Sequence, residues 1–155
     1  MRDDVESFLV SLSRLQEKKL QILRKLILSD SDKLFFLKAQ NTEKLLPAIE
    51  EDGRFVSEID DIDFDISQTI DRLIYILGIK KEFFLKYLAA INEPLPSGII
   101  AVRQEIKSAI KEYLERHEQL LKLMESISSE ISKDINEIKK IEGLDIKKIM
   151  KEFEL

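Results

Sequence analysis

The chain has few residues that could do chemistry. It holds one histidine, His117, and no cysteine, which rules out Cys-His dyads, His-rich metal sites, zinc fingers, Fe–S clusters and disulfides. No glycine-rich phosphate loop, dinucleotide fingerprint or serine elbow occurs. Asp61, Asp63 and Asp65 follow the D-x-D-x-D opening of a calcium loop. The sixth position is then Ile66, where the sharp turn requires Gly, and the twelfth is Arg72, where a bidentate Glu is needed. Glu112, Glu115, Glu118 and Glu125 would suit a carboxylate metal site only with Glu-x-x-His partners. Those are missing, and Lys111, Arg116 and Lys122 alongside them point instead to a salt-bridged solvent face. The expectation is therefore no enzyme, no cofactor and no metal. His117 reads as a packing histidine with one hydrogen-bond partner or, alternatively, as a pH switch.

His117 would be positioned by a long amphipathic helix over 99–141. Its seam runs through Ile106, Ile110, Tyr113, His117, Leu120, Met124, Ile127, Ile131, Asp134, Ile138 and Ile141 in alternating steps of three and four. Only His117 and Asp134 break the apolar pattern. At 1.5 Å per residue such a rod extends about 60 Å, so it must pack against other helices.

The remaining chain supplies them. A capping box of Asp3 and Glu6 opens a first helix to about Leu28, ended by Ser29-Asp30-Ser31-Asp32. A second helix follows, with a kink or break near Asn41 to Pro47. Residues 58–65 read as a solvated acidic turn, with Asp65 or Ser67 capping a helix to Leu77 that Gly78 closes in a left-handed conformation. A short piece reaches Ile91, and Pro94, Pro96 and Gly98 mark 92–98 as an extended connector. After Gly143, Asp145 caps an amphipathic tail over 142–155. The expected fold is all-α, a single domain forming an antiparallel helical bundle (1–91 a hairpin and short helices) with one long C-terminal coiled-coil-like helix.

Composition agrees with this. The chain has 155 residues, 44% hydrophobic and 35% charged, with 4 Gly and 3 Pro, which suits one helix-rich domain. A net charge of −5 lacks the basic face that phosphate neutralisation requires, so no nucleic acid is expected. The acidic excess lies in one place, Glu50 to Asp65, with Arg54 its only cation. The acidic start MRDDVES has no apolar segment of signal type, and no uncharged apolar run approaches a membrane span. A cytoplasmic location is the expectation.

Residues 15–60 carry a family resemblance. Leu26-Ile27-Leu28, the turn Ser-Asp-Ser-Asp-Lys-Leu at 29–34, Leu37 one turn on and Glu43-Lys44-Leu45-Leu46 resemble the N-terminal hairpin of FlgN-like flagellar export chaperones. Ser29-Asp30 or Ser31-Asp32 stands where that family tends to have Gly-Asp. The resemblance implies a cytoplasmic chaperone of type III export, binding the C-terminal helix of a hook-associated protein through its own C-terminal region. Here that region presents Ile138, Ile141, Leu144, Ile149, Met150 and Phe153, an apolar face resuming past the break at Gly143. Such a face is a docking surface for a client helix. It equally suits a tail folded back on its own bundle or a homodimer, and a coiled-coil scaffold without chaperone role is the alternative function.

Overall fold

The computed structural model of the chain describes residues 2–130, and these are almost wholly helical, without a strand. Helix α1 spans Asp3–Lys38, α2 Thr42–Leu77, α3 Phe84–Ala90 and α4 Pro94–Glu130, with a single 3-10 turn at Lys81–Phe83 before α3. The chain runs up along α1, down along α2 and up again along α4. Helix α1 packs along both α2 and α4, and the small α3 closes the end where α4 begins. The all-α bundle expected from periodicity is the fold.

Three apolar layers hold it together. At the α3 end, Val5, Leu9 and Leu12 of α1 meet Leu73 of α2, Phe84 and Leu88 of α3 and Ile99 of α4. In the middle, Leu20, Leu23 and Leu26 pack on Ile106, Ala109 and Tyr113, with Phe55, Val56 and Ile59 alongside. At the hairpin end, Phe36 and Leu37 join Leu45, Ile49, Leu121 and Met124. Each fully buried aliphatic side chain contributes about 1.5–3 kcal/mol relative to exposure.

Several boundaries differ from the sequence expectation, each for a physical reason. Helix α1 starts from Arg2 without a side-chain cap, so Asp3 and Glu6 form no capping box; with Asp4 they favour the helix through its dipole instead. It does not stop at Leu28 but continues to Lys38, because Asp30 and Lys33 are buried in the bundle and paired there. The turn falls at 39–41, where Gln40 takes a left-handed φ of 56° and the Asn41 side chain accepts from the Lys44 N–H at 3.3 Å.

Pro47 sits in the second turn of α2 and removes one backbone donor without ending the helix. Residues 58–65 form no turn. Helix α2 runs unbroken through them, because Val56, Ile59, Ile62 and Ile66 keep the inward spacing while Glu58, Asp60, Asp61 and Asp65 face solvent. Asp65 and Ser67 thus lie inside the helix and cap nothing. Gly78 ends it in the left-handed conformation, φ 65° and ψ 30°. The 92–98 connector shrinks as well, since α4 begins at Pro94. Prolines are tolerated in a first turn because its N–H groups have no intrahelical partner.

Candidate functional site

The seam positions of α1, read as Val5, Leu9, Leu12, Gln16, Lys19, Leu23, Leu26, Asp30, Lys33 and Leu37, alternate four and three along its length. Of the polar members, Gln16, Asp30 and Lys33 are held inside the bundle, and Lys19 is half-buried. Lys33 is fully buried, as is Asp52, the seam residue of α2 between Ile49 and Val56. The Lys33 ammonium contacts the Asp52 carboxylate and lies 2.8 Å from Asp30 Oδ1. On the far side of Asp30, Oδ2 is 3.4 Å from His117 Nδ1 on α4. The imidazole is stacked on Tyr113, ring centroids 5.3 Å apart at 24°. One charged layer therefore joins all three long helices between the middle and hairpin-end apolar layers.

Burial sets the electrostatics of this layer. It pushes the Asp52 carboxyl above its ordinary range, since the charged form loses its water; Asp30 adds to the rise, while Lys33 and the Ser29 hydroxyl oppose it. The Tyr113 phenol is likewise raised, by burial first and then by the carboxylates of Asp30 and Asp52. Two carboxyl groups, those of Asp30 and Asp52, face the single ammonium of Lys33 in this layer. Asp30 lines a surface cleft, a space of about 430 Å³ between α1 and α4. Arg116 spans that cleft, donating to Ser31 Oγ at 2.8 Å and pairing with Glu112 at 3.0 Å. The groups thus meet one another rather than an open substrate site.

His117 takes up the packing role expected for it. Asp30, Lys33 and Asp52 are the residues that sequence reasoning missed; the signal was their seam spacing, overlooked because charge reads as surface. Asp63, one of the three calcium-loop carboxylates, pairs with Lys19 at 2.6 Å, and among the described residues no three His, Asp or Glu side chains converge as a metal set. The acidic positions Glu112, Glu118 and Glu125 lie on the solvent side of α4, the first two paired with Arg116 and Lys122. No helix among the described residues is long and apolar enough to cross a membrane. The six residues expected to bind a partner, Ile138, Ile141, Leu144, Ile149, Met150 and Phe153, lie outside the described residues, as does the tail over 142–155.

One feature of α4 bears on that partner face. Among the described residues Met124 is the last buried seam residue on α4, packed with Leu45 and Ile49 where the α1–α2 hairpin turns back at 39–41. Helix α4 continues to Glu130, about 9 Å further along its axis. Family models, characterised proteins and solved structures give no match to the chain.

Proposed function

We propose that the chain is a helical protein-binding module, and within that class an export chaperone that holds an amphipathic helix of a hook-associated protein through residues 138–153. One observation carries the reading. The hairpin that covers the α4 seam turns back beside Met124, whereas the sequence keeps supplying seam residues past it, at Ile127, Ile131, Ile138 and Ile141. An apolar stripe of this spacing is a face that another helix can take. The choice of client and a cytoplasmic setting rest on the sequence resemblance over 15–60 alone, whose Ser-Asp-Ser-Asp-Lys-Leu segment lies inside α1 and not at the hairpin turn.

The energetics are adequate. Three or four side chains such as Ile149, Met150 and Phe153, at about 1.5–3 kcal/mol each, sustain micromolar binding after ordering costs are subtracted.

The test separates folding from binding. If residues 138–153 serve the client and not the core, a chain truncated at Glu142 should melt close to the full-length temperature yet fail to bind a hook-associated C-terminal helix in calorimetry. Ile149→Asp with Phe153→Asp should do the same. Client binding that survives both changes overturns the proposal. A stable dimer formed through the seam, with no client binding, establishes the scaffold alternative.

A further inference from the structure

A cleft of about 400 Å³ opens among α1, α2, α3 and the start of α4, within the range of small-molecule sites, about 300–1,000 Å³. Along each long helix the lining passes from apolar to charged residues, with Ile106 lying between Arg103 and Lys107 and with Lys81 contributed by the 3-10 turn before α3. Along α1 the lining residues are Leu12, then Gln16, then Lys19; along α4 they are Ile99, then Arg103, then Lys107; down α2 they are Ile70 and Ile66, then Asp63. The apolar end is closed by Phe84 and Leu88 of α3, both buried.

Charge in the cleft is unbalanced. Four lining cations, Lys19, Arg103, Lys107 and Lys81 of the 3-10 turn before α3, stand against the single carboxylate of Asp63, and that carboxylate is engaged by Lys19. Arg103 and Lys107 make no ion pair among the described residues. This basic cleft belongs to a chain whose net charge is −5, so the local excess is not a general property of the surface. Gln16, on the wall between the two ends, is 7% exposed, and its amide oxygen has no hydrogen-bond partner among the described residues. The unpartnered atom is an acceptor, so it calls for a donor on the ligand, such as the remaining O–H of a phosphate monoester.

We infer that this cleft binds a single-chain anionic amphiphile, with its aliphatic tail toward Phe84 and Leu88 and its carboxylate or phosphate head toward Arg103 and Lys107. The arrangement selects by charge, since a cationic head of the same tail length would meet two unpaired cations. It is also separate from the partner face proposed above: Arg103 lies about 40 Å along α4 from Glu130.

The test is a titration of the full chain, by calorimetry and by amide chemical shifts, with laurate, dodecyl phosphate and dodecyltrimethylammonium, each below its micelle concentration. Laurate or dodecyl phosphate should saturate a single site and shift the amides of Leu12, Gln16, Leu88 and Ile99, with dodecyltrimethylammonium weaker by about tenfold or more. A preference between the two anions identifies the head group. Arg103→Glu with Lys107→Glu, at a half-buried and an exposed position, should weaken the anion by about tenfold while keeping the melting temperature. Equal affinity for anionic and cationic amphiphiles, unchanged affinity in the charge-reversed variant, or shifts confined to residues outside the cleft would each overturn the inference.

Discussion

Lys33 on α1 and Asp52 on α2 form an ion pair with no exposed surface on either side chain. The pair fixes the register of the hairpin, because sliding either helix by one turn would leave both charges facing apolar side chains. Desolvating two ions is costly, and their attraction offsets that cost only where the geometry is good and further partners are present. Asp30 is such a partner, placing a second carboxylate on Lys33.

Removing the cation alone should therefore be severe. Lys33→Met leaves Asp30 and Asp52 buried without their ammonium, and a loss of about 3–5 kcal/mol is expected in urea denaturation. Replacing the three charges together, Asp30→Leu, Lys33→Met and Asp52→Leu, should restore stability to the native level or above it by about 1–4 kcal/mol. If the single and triple variants are equally destabilised, the layer is held by shape rather than by charge.

Acidity acts on the same layer. Burial raises the Asp52 carboxyl in the folded chain above its ordinary value of 3.8, so between the two midpoints the folded state holds a proton that the unfolded state has released. The stability from this group is fully present below the unfolded midpoint and is lost as pH rises through the folded one. Asp52→Asn abolishes that dependence. Relative to the variant, the native chain should lose stability as pH rises across the window, by about 1.4 kcal/mol for each pH unit separating the two midpoints. Parallel stability curves from pH 3 to pH 8, on the order of the full window, would show that Asp52 is not raised.

The same charges explain which parts of the fold were legible. The α4 seam through Tyr113, His117, Leu120 and Met124 and the Gly78 stop could be read directly, since apolar spacing and a left-handed glycine are local signals. The path of α1 through 29–38 could not. Ser29-Asp30-Ser31-Asp32 has the composition of a turn, and only the distant Asp52 makes Asp30 and Lys33 interior residues. The acidic run 58–65 misled similarly, because its charge obscured the inward spacing of Ile59, Ile62 and Ile66. Nor did Pro94 reveal that it begins a helix, as proline marks a connector and a first turn equally well. The cleft between α1 and α4 depends on which residues neighbouring helices bring opposite one another, and no single segment contains that.

Tyr113 offers a milder test of packing. Its ring is buried against His117, and its hydroxyl oxygen has no hydrogen-bond partner among the described residues. Tyr113→Phe keeps the stacked ring and removes a buried polar atom, so stability should be unchanged or rise by about 1 kcal/mol in thermal or urea unfolding. A loss of similar size would show that the hydroxyl is satisfied.

Two glycines should respond to the same substitution with opposite signs. Gly53 lies inside α2, and a β-carbon added there meets no atom within 4 Å. Gly53→Ala thus gains helix propensity and loses nothing, a stabilisation of about 0.8–1 kcal/mol. Gly78 has equally open space around it, so crowding plays no part. Its φ of 65° is what an L side chain resists, and Gly78→Ala should cost about 1–2 kcal/mol. The cap matters beyond its own conformation. The Ile79 N–H bonds back to the Ile74 carbonyl at 3.2 Å and the Gly78 N–H to the Tyr75 carbonyl at 3.3 Å, closing α2 where the chain turns toward α3. Because neither site has a side-chain neighbour to perturb, the double variant should show the sum of the two effects to within about 0.5 kcal/mol. Measured together by urea denaturation, two losses would show that Gly53 is not in a free helical position, and two gains would show that the chain leaves α2 by another conformation.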